Sequence, residues 1–199
     1  MNRIHVMPVL AVAGLAVVGA ACSSSKSSST SGSTASTEAP TTTLPRVSAT
    51  GFSSVLPQDW SNLTQDSSAV SQVAPTSGTN GTAILLLQPK QSSNGLVGHI
   101  SVNIAPTPVA DADLPAYLQS AGNHGATNLS TPVAKTIDGS SGFDMTYIVT
   151  QPDGTPTKNE DIVVNHGGQT YDVIYDVPTA QFDSLHNGLD TLLSNWKWG

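Results

Sequence analysis

The residues in this chain that could bind a metal ion or act as acid–base groups are few and scattered. Of the five histidines, four lie beyond residue 22, and these are His99, His124, His166 and His186. None of them forms the closely spaced ligand pair from which a zinc site on one helix or strand is built. We interpret His99 as lying on the polar face of a strand, His166 at a hairpin tip and His186 beside an apolar helical stripe. The sequence therefore predicts neither a metal site nor a cofactor.

Nucleophilic and acid–base catalysis have no better support. The segment "GSSG" at Gly139–Gly142 lacks the GxSxG spacing of a nucleophile elbow, and we predict that it is a turn between two strands. Asp111 and Asp113 are interpreted as helix-capping carboxylates, and Glu160 and Asp161 as the solvated start of a strand. The chain is therefore predicted not to be an enzyme, with a hydrolase as the weakest alternative.

Three tryptophans stand out in a chain with only 5% aromatic residues. Trp60 follows "LPQD", and Trp196 and Trp198 follow an apolar helical stripe near the C-terminus. We interpret Trp60 and Trp196 as packing anchors, with Trp198 on the same strand face as Trp196. The functional alternative is that one of the three lines an exposed groove for a ligand or a partner.

The elements that must position these residues are mostly strands. Apolar residues alternate with polar ones in "GHISVNIAP", "GFDMTYIVT" and "TYDVIYDVP", which is the period of a strand with one buried face. The apolar sets are Ile100, Val102 and Ile104; Phe143, Met145, Tyr147 and Val149; and Tyr171, Val173, Tyr175 and Val177. In "TAILLLQP" the run Ile84–Leu87 is continuously apolar, which predicts a central strand covered on both faces.

The turn signals between these segments favour antiparallel pairing. Asp153-Gly154 and Gly167-Gly168 tolerate the positive φ angles of tight hairpins. They predict a meander of three strands, over Gly142–Gln151, Glu160–His166 and Gln169–Val177.

Two helices are predicted to pack on this sheet. Asp113 would cap the first, which carries Leu114, Tyr117, Leu118 and Ala121, and Thr179 would cap the second, which carries Phe182, Leu185, Leu189 and Leu192. The order of strands and helices indicates an α+β fold with an antiparallel sheet, and not a βαβ series.

The N-terminus is predicted to be an export signal over residues 1–21. Arg3 is followed by a dense apolar part, Val9–Val18, that is short for a membrane-spanning helix of about 20 residues. The small residues before Cys22, the only cysteine, resemble a bacterial lipobox, although Gly19 stands where leucine is usual. The resemblance implies that Cys22 is lipidated and becomes the first mature residue. The alternative is an ordinary secretory signal that leaves a free thiol.

Residues 22–50 are predicted to be a lipidated cysteine followed by a disordered linker, and residues 51–199 a folded domain. Every residue of 23–37 is Ser or Thr except Lys26, Gly32 and Ala35, and such a segment cannot build a core. Ser/Thr-Pro motifs such as "STEAPTTTLP" resemble O-mannosylated linkers, with a bare spacer as the alternative. The net charge of −7 supplies no basic field for nucleic acid.

The order of several motifs after Gly51 resembles the PsbP-like superfamily. The motifs are "GFSSVLPQDW", "DGSSGFDMTYIV", "GGQTYDVIYDVP" and a last helix that ends in "LLSNWKW". This superfamily includes photosystem II extrinsic proteins, Mog-type Ran-binding proteins and the actinobacterial LpqN/LpqT lipoproteins. The lipobox-like signal and the lack of cysteine in residues 51–199 fit the last branch best. The resemblance implies an antiparallel sheet between helices, an αβα sandwich, and a non-catalytic role as a binding module.

We therefore expect a lipoprotein on the extracytoplasmic face of the bacterial cell membrane, anchored through Cys22. Its domain would bind an envelope protein or a small ligand, and no nucleic acid. One alternative is a lipid or glycolipid carrier whose sheet and helices enclose an apolar cavity. The weaker alternative is an envelope hydrolase.

Overall fold

The computed structural model describes residues 43–73, 81–90, 98–120 and 124–199. The predicted signal, Cys22, the linker up to residue 42 and Ala121 of the first predicted helix lie outside these ranges. Within them, no helix is long and apolar enough to span a membrane.

The described residues form strands and helices in the following order: β1 (Arg46–Ala49), β2 (Phe52–Val55), β3 (Trp60–Asn62), α1 (Ser67–Val73), β4 (Thr82–Pro89), β5 (His99–Ile104), α2 (Leu114–Gln119), β6 (Val133–Ile137), β7 (Ser140–Thr150), β8 (Pro156–His166), β9 (Gln169–Pro178), α3 (Phe182–Ser194) and β10 (Lys197–Trp198). Short 3₁₀ turns lead into α2 and α3. Strand β1 precedes Gly51, where the sequence places the start of the domain.

The strands form two antiparallel sheets. The large sheet has seven strands in the order β3-β4-β5-β9-β8-β7-β6, and the small sheet has three in the order β1-β2-β10. Helices α1 and α2 pack on one face of the large sheet, and α3 packs on the other together with the small sheet. This arrangement confirms the predicted α+β fold with an antiparallel sheet packed with helices.

Strand β4 is covered on both faces, as its apolar run predicts. Leu86 packs with α1, whereas Leu85 and Leu87 belong to the core beneath α3. Its predicted central position is wrong, because β4 is second from the edge. The central strand is β9, which lies between β5 and β8.

The predicted meander is present as β7, β8 and β9. Its hairpins use Gly154 at φ 85° and Gly167 at φ 58°, both left-handed conformations that glycine adopts without strain. The prediction that "GSSG" is a turn is wrong. The turn uses Asp138 and Gly139, and Ser140 already begins β7.

Two predicted helices are present, but the predicted caps are wrong. The Asp113 side chain makes no capping hydrogen bond at α2. The Thr179 hydroxyl donates to the Pro156 carbonyl oxygen at 3.1 Å instead of capping α3. Asp111 accepts a hydrogen bond from the Asn165 amide at 2.6 Å, so its carboxylate links a turn to β8. In both cases a 3₁₀ turn takes the place of a side-chain cap.

Helix α1 is an element that the sequence analysis missed. Asp66 caps it, since its Oδ1 accepts from the backbone N–H groups of Ser68 and Ala69 at 3.0 and 3.1 Å. The helix buries only Ala69 and Val73, too few apolar residues for a visible helical period.

The two faces of the large sheet differ in chemistry. In β9, Tyr171, Val173, Tyr175 and Val177 join the apolar core beneath α3. Asp172, Ile174 and Asp176 alternate with them and therefore lie on the face that α1 and α2 cover. Both sets are buried, so the assumption that each alternating strand has one solvated face is wrong here.

Candidate functional site

A set of buried polar side chains lies on the α1/α2 face of the large sheet. We call it the buried polar face, and its members are His99, Ser101 and Asn103 on β5, Thr157, Asn159 and Asp161 on β8, and Asp172 and Asp176 on β9. All are less than a tenth exposed. Because burying polar groups costs free energy unless they find partners, such a set on a sheet face indicates a specific role.

Two of its carboxyl groups form a pair. Asp161 lies opposite Ile174 and Asp172 opposite Val163, so the two aspartates are diagonal neighbours on β8 and β9. Burial raises the pKa of Asp161 well above its usual value, and the neighbouring Asp172 carboxyl group raises it further. The raised pKa favours the protonated form of Asp161 beside Asp172.

Two tyrosines flank this pair. The Tyr147 hydroxyl donates to Asp161 Oδ2, and the Tyr117 hydroxyl of α2 donates to Asp172 Oδ2, each at 3.4 Å. Burial raises the pKa of Tyr147, and the nearby charges of Asp161, Asp172 and Asp176 raise it further. All three aspartates thus act on one phenol, which places them in a single electrostatic cluster.

Asp176 is the third carboxyl group of the face. It is in register with His99 on β5 and with Asn159 on β8. Burial raises its pKa to about 6, against a hydrogen bond with Thr157 that lowers it. Near neutral pH Asp176 therefore carries a negative charge inside the domain.

His99 does not neutralise this charge. Its side chain is 7% exposed, and burial lowers its pKa to about 4, so the ring is neutral at physiological pH. No other described side chain forms a hydrogen bond with the ring. A neutral imidazole has one N–H donor and one acceptor nitrogen.

Two carboxyl oxygens on the face have no hydrogen-bond partner among the described residues. They are Asp161 Oδ1 and Asp176 Oδ1, in residues that are 4% and 8% exposed. No ion pair within the described ranges joins either residue to lysine or arginine. These acceptors point to an occupant that donates hydrogen bonds.

A preformed metal site is not evident in the described ranges, because no three His, Cys, Asp or Glu side chains there are placed to hold an ion together. The face can still hold a hydrogen-bond donor, and its neighbouring Asp161 and Asp172 carboxyl groups have the composition of an acid–base pair.

The interpretation of Glu160 and Asp161 as a solvated strand start is wrong. Both are buried within β8, and their side chains lie on opposite faces of the sheet. Glu160 faces α3, where its Oε2 lies 2.8 Å from His186 Nε2 and its Oε1 lies 3.6 Å from Lys135 Nζ. This second polar group is fully paired, which identifies it as a structural bridge between β8 and α3.

The three tryptophans lie on the α3 side of the molecule. Trp60 and Trp196 are buried, and the Trp196 ring stacks on Phe52 at 3.6 Å between centroids. Trp198 is half-buried and stacks on His166 at 4.2 Å. Trp198 is thus the one of the three with an accessible edge, and its role as a partner contact stays a prediction.

The sequence carried one signal for the buried polar face. In "TYDVIYDVP" the polar positions of β9 include Ile174 between Asp172 and Asp176. An isoleucine on a supposedly solvated face indicates that the face is covered. Once β9 is placed between β5 and β8, those aspartates must be buried as well.

Comparisons with known proteins identify the fold. Neither a protein-family model nor a curated protein matches this sequence. Among solved structures, the chain is similar to CyanoP, the cyanobacterial PsbP of Synechocystis sp. PCC 6803, with a TM-score of 0.53, 15% identity and coverage of 78% of this chain and 92% of that one. It is also similar to LpqN, which is involved in cell envelope biogenesis of Mycobacterium tuberculosis, with a TM-score of 0.52, 12% identity and coverage of 74% and 82%. The resemblance expected from the order of sequence motifs is thereby confirmed at the level of architecture, and the chain has the PsbP-like fold.

Proposed function

We propose that this chain is a cell-envelope lipoprotein, anchored to the membrane through Cys22, whose PsbP-like domain binds a small polar ligand without transforming it. The observation that carries the binding role is the pair of buried, unpartnered oxygens on Asp161 and Asp176. The envelope location is supported by the lipobox-like signal and by the structural similarity to LpqN, a protein of envelope biogenesis.

The position of the unpartnered atoms favours a small ligand over a protein partner. They lie within the large sheet, beneath the elements that cover the α1/α2 face, where a flat protein surface does not reach. Ligand sites in proteins are concave and place a few polar groups to orient the occupant. The carboxyl, amide and imidazole groups of this face are polar groups of that kind.

Identification of the small molecules bound to the native protein tests this proposal. The full-length chain is isolated from envelope membranes, denatured, and the released small molecules are identified by mass spectrometry. We expect a compound that is recovered with the wild-type chain and is depleted at least tenfold with Asp161→Asn or Asp176→Asn. Asp144→Asn is the matched control, because Asp144 lies on β7 but faces Lys135 on the opposite side of the sheet. Equal recovery from all variants would exclude the buried polar face as the ligand site.

The lipid or glycolipid carrier is the first alternative, and it requires an apolar cavity. The face beneath α3 is filled by buried apolar side chains, including Leu189 and Leu192. The α1/α2 face bears carboxyl groups where an acyl chain would lie. Recovery of an acyl-bearing compound from both the wild-type chain and Asp161→Asn would favour the carrier.

An envelope hydrolase is the second alternative, and the Asp161–Asp172 pair gives it a specific basis. Two neighbouring carboxyl groups, one of which has a raised pKa, can supply a general acid and a general base. Incubation of envelope extracts with the chain, followed by a search for products that Asp172→Asn abolishes, separates turnover from binding.

A further inference from the structure

We infer that the buried polar face binds a small organic cation, whose ammonium or guanidinium group lies among Asp161, Asp176 and His99. This inference rests on the proposed binding function and names the chemical class of its ligand.

The buried atoms of the face that lack a hydrogen-bond partner among the described residues are acceptors. Asp161 Oδ1 and Asp176 Oδ1 are buried and unpartnered among the described residues, and the neutral ring of His99 adds one acceptor nitrogen. Each of the two amides already donates one hydrogen bond within the face, Asn103 to Ser101 at 3.3 Å and Asn159 to Thr157 at 3.5 Å. An ammonium group brings three donors and a guanidinium five, with no acceptor.

The charge on the face is also of one sign. The titratable groups that the packed elements contribute are His99 from β5, Tyr147 from β7, Asp161 from β8, Asp172 and Asp176 from β9, and Tyr117 from α2. The lysines of the neighbouring strands lie on the other face. Lys158 Nζ lies 3.9 Å from the Phe182 ring centroid, and Lys135 pairs with Asp144 and Glu160.

An organic cation supplies both hydrogen-bond donors for the unpartnered acceptors and a positive charge for the buried negative charge. Each of the other ligand classes supplies only one of the two. A neutral polyol would donate hydrogen bonds but would leave the buried negative charge uncompensated, which is costly in a low-dielectric interior. A metal ion would compensate the charge, but the described residues contain no group of three ligands placed around it. A planar or tetrahedral nitrogen cation can satisfy separate acceptors and the charge together.

Binding of a cation is coupled to the protons on the face. The proton that the raised pKa favours on Asp161 and the proton of Asp176 both compete with the ligand, so binding releases protons. Affinity should therefore rise with pH as Asp176 loses its proton near pH 6. His99 stays neutral through this range and Tyr147 keeps its proton.

Calorimetric titration of the full-length chain in detergent tests the inference directly. The probes are agmatine and 1,4-diaminobutane, with 1,4-butanediol as the uncharged analogue and CaCl₂ as the metal control. We expect both cations to bind, at least tenfold more tightly at pH 7.5 than at pH 5, and the diol and calcium not to bind. Asp161→Asn and Asp176→Asn should each weaken cation binding at least tenfold, whereas Asp144→Asn should not. Circular dichroism at each pH confirms that the variants are folded.

Several results would overturn the inference. Equal binding of the diol and the diamine would show that the face recognises neutral donors. Binding of calcium alone would assign a metal, and no binding of either cation, or binding that the two variants leave unchanged, would also refute it. The proposed function is tested separately by the compound released from the native chain. If that compound is uncharged and is lost from the same variants, the binding function is supported and the cationic ligand is excluded.

Discussion

Asp176 shows how one buried residue links stability to pH. Its folded pKa of about 6 exceeds the value of 3.8 for an exposed aspartate, so the folded state binds this proton more tightly than the unfolded state does. The resulting stabilisation is present below pH 4 and is lost as the pH rises from about 4 to about 6. A shift of this size corresponds to about 3 kcal/mol.

The variant Asp176→Asn tests this linkage, because it replaces the ionisable carboxyl group by a neutral amide of nearly the same shape. Relative to wild type, we expect it to be more stable by about 1–3 kcal/mol at pH 7 and by much less at pH 4. Urea unfolding at the two pH values measures the difference. Asp113→Asn is the control, since Asp113 is exposed and makes no capping hydrogen bond. A gain that is the same at both pH values would contradict the assignment.

His186 carries a second titration in a different pH range. Burial lowers its pKa, but hydrogen bonds to Glu160 and Asp190 raise it more, so the net direction is upward from 6.5. The stabilisation from these bonds is therefore complete below about pH 6.5 and is lost as the pH rises through the folded pKa. His186→Gln should destabilise the chain more at pH 5.5 than at pH 8.5 in thermal unfolding. Equal losses for His186→Gln at both pH values would refute the prediction.

At the scale of elements, one close contact sets how near α3 lies to β3. A Cβ atom on Gly188 would lie 2.4 Å from the Trp60 ring, so the helix can approach the strand only with glycine there. Replacement of a helical glycine by alanine ordinarily gains about 1 kcal/mol of helix propensity. At this position overpacking should outweigh that gain.

We therefore expect Gly188→Ala to destabilise the chain by about 1–3 kcal/mol in urea unfolding. Asn187→Ala, one residue earlier on the exposed side of α3, should change stability by less than about 0.5 kcal/mol. Stabilisation by Gly188→Ala would mean that Trp60 can move away at little cost.

The elements also show how far sequence patterns reach. The meander of β7, β8 and β9 and helices α2 and α3 could be predicted, because alternation, glycine turns and the Leu189 and Leu192 stripe are local signals. Strand β1 and helix α1 could not, since they have only 4 and 7 residues, too few for a clear apolar period. The buried polar face was missed for a related reason: apart from Ile174 in β9, the alternation of a strand does not reveal what covers its polar side. Only the placement of β9 between β5 and β8 makes Asp172 and Asp176 interior residues.

At the scale of the whole molecule, the proposed membrane location depends on the lipid anchor proposed at Cys22. Two acyl chains suffice for stable membrane attachment. Cys22→Ala should therefore move the chain from the membrane pellet to the soluble fraction on ultracentrifugation, without changing its far-ultraviolet circular dichroism. Cys22→Ser is a second variant that keeps the size of the side chain and should behave in the same way. Retention of either variant in the pellet would exclude lipidation as the anchor.

The small sheet has a consequence for the order of folding. Its strands β1 and β2 are joined by a tight turn, whereas β10 comes from the last residues of the chain and pairs Lys197 with Ser53. Asp138, in the turn before β7, holds this strand by accepting hydrogen bonds from Lys197 Nζ and the Trp198 backbone N–H. Loops that span most of a chain close slowly, because the chain loses conformational entropy before the contacts that stabilise the closed loop have formed. The β1–β2 hairpin should thus gain amide protection early in refolding, and the edge formed by β10 should be the last part of the molecule to close and the first to open.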